Sequence, residues 1–376
     1  MRVCIVNDNF YRSSGVAVAI KRISKALASY GIDSYIVGCG NGELQEDVSW
    51  VPDGRYAHFT LKTPNPVLLI RELARFRAWF NTLKIDLVNS HHRRVAALLN
   101  MAGLPVVYTA QLVFPSETWF RVLCPRYTTA LTPSVAHNLQ DAAGRKALAC
   151  ISNPVEFPGT PPEIDLGAVR ERAVCVARLE PVKGHRNLVA AWKLLYDRGY
   201  RFRLDLVGEG SLRSELESQV DRDGTGGLIK FHGFTPEVSE FFHQSLFAIL
   251  VSEFEGQGIV TLEAAAAGRA SLLTGVRGSI DLIPPGGQLG NGLAFGDIQQ
   301  LAVTLEQWFT QPQAVVREGA RFFDFLKPSC DPQMVAGQYA EIYRKVLAAR
   351  RAPVNREPEL APLVQSDSGL WKGPRV

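Results

Sequence analysis

Residues 246–251 form an unbroken apolar run, closely followed by two glycines, Gly256 and Gly258, and then an alanine-rich segment that ends at Gly268. A short apolar run bounded by glycine reads as a buried strand, and the alanine run as a helix. A strand that turns through glycine into a helix makes an anion site. The first helical N–H groups have no internal partner, and the helix dipole is positive at that end.

Two carboxylates frame this turn, Glu255 before the helix and Glu263 inside it. Bare anion sites avoid carboxylates, so the pair calls for a ligand with hydroxyls as well as phosphate, because carboxylates accept strongly from sugar hydroxyls. A nucleotide sugar satisfies both demands. Its sugar would lie by Glu255, its diphosphate over the N–H groups of Gly256, Gln257, Gly258, Ile259 and Val260, and its ribose against Glu263. The competing reading is that both glutamates only cap and solvate a helix.

The same strand–loop–helix alternation recurs along the chain. Apolar runs at 3–6, 34–37, 86–90 and 106–109 read as strands, as do 130–132 and 150–152. Val16, Ile20, Ile23 and Leu27 recur at helical spacing, and so do Leu69, Leu73, Phe76, Phe80 and Leu83. A proline-rich stretch at 158–165 reads as a linker. A second alternation follows, with strands at 174–177, 202–207 and 229–231 and a helix through Leu188, Trp192 and Leu195. Alternation of this kind predicts parallel sheets covered by helices. Arg178 and Lys183 flank the first loop of the second half, at a strand's C-terminal end, where open α/β sheets bind ligands and two cations would meet a diphosphate. Two unrelated surface cations are the plainer alternative. No G-x-G-x-x-G follows the first strand, which argues against a classical dinucleotide site.

With 376 residues, 46% of them hydrophobic, the chain can fill two domains. A net charge of +4 leans weakly toward an anionic partner. Six scattered cysteines without a C-x-x-C pair read as free thiols. A strand starting at Arg2 leaves no room for a leader, and no apolar run reaches membrane-spanning length. These features predict a cytoplasmic protein, peripheral at most to the inner face of the membrane. On the helix near 67–83, Arg71, Arg75 and Trp79 recur on one face, which suits contact with an anionic bilayer; an ordinary solvated face with one packed Trp is the alternative.

The stretch from Glu255 to Glu263, with its embedded Glu-Gly-x-Gly and following Glu-Ala-x-Ala-x-Gly, resembles the E-x7-E motif of retaining glycosyltransferases of the GT-B fold, above all family four. Gln257 stands where that pattern most often has Phe. Arg178 and Lys183 resemble the family's R-x4-K phosphate pair, and 153–157 its interdomain hinge. The resemblance covers most of the chain, and what it implies is two Rossmann-like α/β domains facing a cleft. These are an acceptor domain at 1–155, a nucleotide-sugar donor domain at 160–320, returning C-terminal helices at 321–349 and a disordered tail at 350–376. It implies transfer of a sugar, with retention, from a nucleotide-diphosphate sugar to a hydroxyl of a glycan or lipid-linked acceptor, in polysaccharide, lipopolysaccharide or glycolipid synthesis. No metal, cofactor or nucleic acid is involved in that reading. Glu255, Arg178 and Lys183 would be catalytic. Gly15, Phe234, Gly256–Val260 and Glu263 would join them in holding the donor. Residues 86–91 resemble D-x-x-H-x-H with Asn89 for the first His, and 105–111 resemble P-V-V-x-T-x-H with Gln111 for the last. His91 and Gln111 are thus candidate acceptor or sugar contacts, unless His91 and His92 are a surface pair beside Arg93 and Arg94. A nucleotide-sugar epimerase of the same fold, or a non-catalytic nucleotide-sugar-binding subunit, are the alternatives.

Overall fold

The computed structural model describes residues 1–11, 14–40, 47–113, 118–144, 147–287 and 289–351. It divides into two compact units, one of residues 1–154 with 332–376 and the other of 155–331.

The first unit is a six-stranded parallel sheet: β1 (Arg2–Asn7), β2 (Asp33–Gly38), β3 (Tyr56–His58), β4 (Leu87–Ser90), β5 (Val106–Ala110) and β6 (Tyr127–Ala130), ordered β3-β2-β1-β4-β5-β6. Its helices are α1 (Gly15–Leu27), α2 (Pro66–Thr82), α3 (Arg93–Met101), α4 (Thr118–Leu123) and α5 (Pro133–Ala143). Local chemistry sets their ends. Ser14 caps α1, its Oγ accepting from Ala17 N at 3.3 Å, so Gly15 is the first helical residue rather than part of a loop. Asn65 caps α2 through two backbone N–H groups, with Pro66 in the first turn. Thr132 belongs to the start of α5, not to a strand: its hydroxyl accepts from Val135 N and Pro133 follows it. Of 150–152, only Cys150 pairs, by a single bridge to Ala130.

Successive residues of β1 face opposite sides of the sheet. Cys4 and Val6 pack with Phe76, Phe80, Val95 and Leu139; Val3 and Ile5 pack with Ile20, Ile23 and the last helix. On α2 the alternative of a packed Trp79 is the one the structure bears out. Its ring is part-buried, 5.7 Å from Phe59 and 6.2 Å from Tyr35. Arg75 is also engaged, bonded to buried Glu72 at 2.6 Å with its guanidinium 5.6 Å from the Phe59 ring. Burial of so large a ring outweighs leaving it in water.

The second unit has a short helix α6 (Leu166–Val169) and a five-stranded parallel sheet. Its strands are β7 (Arg172–Val176), β8 (Arg203–Val207), β9 (Ile229–Gly233), β10 (Phe247–Leu250) and β11 (Ala270–Leu273), ordered β11-β10-β7-β8-β9. Around it lie α7 (His185–Asp197), α8 (Arg213–Arg222), α9 (Val238–His243), α10 (Ile259–Ala266), α11 (Ile298–Thr310) and α12 (Pro312–Cys330). This unit extends to Asp331 rather than ending near 320. The reason is α12, whose Phe322, Leu326 and Cys330 are buried in the same core as Leu262, Ala265 and Leu272; each large apolar side chain so placed contributes roughly 1.5–3 kcal/mol.

Only α13 (Pro332–Arg351) returns to the first unit. It brings a polar ladder across the sheet. Asn89 Nδ2 donates to Tyr343 Oη at 2.7 Å, Thr109 Oγ1 to Asn89 Oδ1 at 2.9 Å, and Thr129 Oγ1 to Thr109 Oγ1 at 3.0 Å. Asn89 therefore serves the packing of α13, which accounts for an amide at that place. The tail beyond 351 lies outside the described residues.

Candidate active site

In each sheet the strand order reverses once: between β7 and β10 in the second unit, and between β1 and β4 in the first. Loops leave such a point in opposite directions and open a crevice at the carboxyl ends of the strands. Lys183 lies in the loop after β7 and Glu255 in the loop after β10, so the second unit's reversal brings them together. Lys183 Nζ is 2.5 Å from Glu255 Oε1, and the Ser252 hydroxyl donates to the same oxygen at 2.8 Å. Glu255 is 7% exposed, and Oε2 receives no bond among the described residues. One carboxylate oxygen is thus fixed and the other is left to accept.

The two loops are knitted by backbone. Glu253 N donates to Val182 O at 2.8 Å, and Thr274 Oγ1 to Ser252 O at 2.6 Å. Close approach demands glycine at two places. Gly184 has φ +72° and a Cβ there would overlap the carbonyl of Val251; Gly278 has φ +87° and its Cβ would stand 2.5 Å from the carbonyl oxygens of Glu255 and Gly256.

Helix α10 begins at Ile259, so Gly256, Gln257 and Gly258 form the turn that precedes it. Gly258 is its N-cap and no side chain caps it, which leaves first-turn N–H groups of Ile259 and Val260 for a ligand. The far end is closed by buried Arg269, whose guanidinium donates to the carbonyls of Ala267 (2.8 Å), Ser245 (2.7 Å) and His243 (2.9 Å). Burial pulls its pKa down to about 10, so it stays a cation at neutral pH and complements the dipole of α10. Glu263 is half-buried in the second turn of α10.

Arg178 is exposed in the loop after β7, and among the described residues no carboxylate pairs with it. That loop also binds the Gly208–Gly210 turn: Leu179 N donates to Glu209 O at 2.9 Å, and the Ser211 hydroxyl to Glu180 Oε2 at 2.8 Å. The Ser211 bonds hold the Glu180 carboxyl below its ordinary range. Phe234 follows β9 with 41% of its surface exposed. Sequence reasoning missed Ser252 and Arg269. The signal for Arg269 was a basic residue just past an alanine-rich helix; Ser252 carried none beyond its place three residues before Glu255.

In the first unit, His91 N donates to Val6 O at 2.8 Å, which holds residue 91 at the strand-order reversal. Gln111 Nε2 lies 2.6 Å from His91 Nδ1. His91 is buried, so the surface-pair alternative fails; His92 instead caps α3, its Nδ1 3.4 Å from Val95 N. Asp8 and Lys62 form an ion pair of 2.6 Å on the same edge. Among the described residues no three His, Cys, Asp or Glu side chains gather as a metal site.

Residues 13–157 match the model described as Glycosyltransferase Family 4, and residues 170–311 the one described as Glycosyl transferases group 1. Each unit carries a glycosyltransferase-family domain. A glycogen synthase of Mycobacterium tuberculosis is 31% identical over 192 residues, half of this chain and 45% of that protein. The chain therefore spans less than half the length of that relative. Among solved structures, HepE of Anabaena in complex with UDP-glucose superimposes with a TM-score of 0.74 at 19% identity, covering 91% of this chain and 98% of that one. Sucrose-phosphate synthase of Thermosynechococcus elongatus gives 0.76 at 16%, covering 93% and 99%. The fold of these glycosyltransferase domains is GT-B. No described helix is long and apolar enough to cross a membrane.

Proposed function

We propose that the chain is a retaining glycosyltransferase that needs no metal or cofactor and moves a sugar from a nucleotide-diphosphate sugar to a hydroxyl acceptor in cell-surface polysaccharide, lipopolysaccharide or glycolipid synthesis. The observation that carries it is the Lys183–Glu255 pair with Ser252, set beside the uncapped start of α10. The cation and the helix N–H groups are donors for a diphosphate, and the free Glu255 Oε2 is an acceptor for a sugar hydroxyl. As the bond from sugar to diphosphate breaks, negative charge gathers on the leaving oxygen. Lys183, Arg178 and the α10 N–H groups stabilise that charge, and the leaving oxygen can itself take the acceptor's proton. HepE's complex with UDP-glucose supports a nucleotide-sugar donor for the related site.

The test is a panel of UDP-, GDP- and ADP-sugars, read first by melting temperature and then by release of nucleoside diphosphate in the presence of candidate acceptors. Retention means that the product keeps the donor's anomeric configuration by NMR and that EDTA leaves the rate unchanged. An inverted product, or loss of activity with EDTA, sinks those parts of the reading. Peripheral contact with an anionic membrane is also part of it, now through exposed Val67 and Ile70 with Arg71 rather than through Trp79. Pelleting with anionic vesicles should be abolished by Ile70→Glu/Arg71→Glu; equal partition of variant and parent removes this helix.

A further inference from the structure

The loop after β11 carries an exposed cation, Arg277, which makes no ion pair or hydrogen bond among the described residues. Two close approaches fix where that loop runs. Thr274 Oγ1 donates to Ser252 O at 2.6 Å, and a Cβ on Gly278 would stand 2.5 Å from the carbonyl oxygens of Glu255 and Gly256. Arg277 is the chain neighbour of Gly278, with Cα atoms about 3.8 Å apart. Its long side chain therefore starts beside the turn that holds Glu255.

The two flanks of that turn differ in charge. On the β7 side, Glu253 N donates to Val182 O and Lys183 already balances the Glu255 carboxylate. Arg178 and the uncapped start of α10 are the donors left for a diphosphate. On the β11 side stands Arg277, whose charge the protein leaves unmatched among the described residues. A guanidinium grips a carboxylate through two parallel N–H···O bonds and gains far less from a neutral hydroxyl.

We propose that Arg277 binds an acidic group on the transferred sugar, so that the donor is a nucleotide-diphosphate uronic acid rather than a nucleotide-diphosphate neutral hexose. The assignment rests on the proposed function for the nucleotide-diphosphate part of the ligand. Arg277 sets specificity and takes no part in bond breaking, because the sugar's carboxylate keeps its charge throughout. Glu255 alone would repel such a sugar. A cation on the flank that Lys183 does not serve removes that repulsion and leaves Glu255 Oε2 to accept from a hydroxyl.

The test is calorimetric titration of the full chain, without acceptor, by UDP, UDP-glucose and UDP-glucuronate, and by GDP, GDP-mannose and GDP-mannuronate. Within the series whose base the protein accepts, the uronate should bind about tenfold tighter than the neutral sugar. That margin should shrink as salt is raised, because Arg277 is exposed. Arg277→Gln should erase the margin and leave the bare nucleoside diphosphate unchanged. Arg277→Lys should keep part of it, since an ammonium supplies the charge without the fork. Equal binding of uronate and neutral sugar by the parent, or a margin that survives Arg277→Gln, overturns the proposal while leaving the proposed function in place. A loss of nucleoside diphosphate affinity in Arg277→Gln as large as the loss of uronate affinity also overturns it, by assigning Arg277 to the diphosphate. Failure of every nucleotide and nucleotide sugar to bind removes the proposed function, and this assignment with it.

Discussion

In the second unit the loops after β7 and β10 meet as an ion pair, Lys183 with Glu255, while in the first the loops after β4 and β5 meet as a neutral pair, His91 with Gln111. The sheets share one plan: parallel strands, one reversal of order, polar side chains at the carboxyl edge. The difference lies in what each edge can hold. A buried salt bridge beside an uncapped helix start suits a ligand that carries charge and gains more during bond breaking. A buried neutral imidazole against an amide offers no charge to gain or lose. A common framework thus carries a charged cluster at one edge and an uncharged one at the other, and the side chains alone decide which.

Removing charge from the second unit should do the most damage. Lys183→Ala should lower the turnover of a nucleotide sugar about a hundredfold, since it strips a donor from the leaving diphosphate and leaves Glu255 buried without its cation. Turnover within twofold of the parent would place the diphosphate elsewhere. The two glutamates come next. Glu255→Gln should weaken intact UDP-glucose roughly tenfold, by loss of a charge-assisted bond, and spare UDP. Glu263→Gln should weaken both alike, measured by calorimetric titration. Identical losses for UDP in the two variants would end the division of labour between them.

The first unit should respond more gently, and through pH. His91 and His92 have folded-state pKa values of about 3 and 4, both lowered by burial from an unfolded value near 6.5. Their neutral forms contribute stability that is fully present above pH 6.5 and lost as pH falls toward the folded values. Melting temperature should therefore drop between pH 7 and 4, and His91→Phe should flatten that slope by about one proton. A slope unaltered by the substitution would mean that the ring is not held neutral by the fold. The smallest effect is expected at Tyr343→Phe, which strands Asn89 Nδ2. Urea unfolding of the first unit should show a loss of about 1 kcal/mol with the second unit unmoved. An equal loss in both would contradict their separate cores.

The α/β alternation was legible because buried parallel strands are apolar on both faces and helices repeat every three or four residues. Glu255, Lys183 and their glycines were legible through motif spacing, which reports the close approach that Gly184 and Gly278 permit. Trp79 was left with two readings because helical spacing places a residue on a face without saying what lies opposite; Tyr35 and Phe59 decide it, from other parts of the chain. The role of Asn89 was invisible for the same reason. Its partner stands far along the chain, on α13. Thr132 misled because a β-branched residue beside an apolar run looks like a strand until Pro133 is read as a helix's first residue.

The passage of α13 into the first unit has a bearing on how the protein is made. Val335, Tyr339, Tyr343 and Val346 complete the core formed by Val3, Ile5, Ile20 and Leu87. A ribosome delivers residues 1–154 first, yet their apolar surface must wait through the whole of 155–331 before its cover emerges. The second unit has every part it needs by then and can close first. Synthesis therefore reverses the usual order, finishing the first-made half last, and a nascent chain stalled near residue 331 holds one folded half and one bare sheet for chaperones to guard.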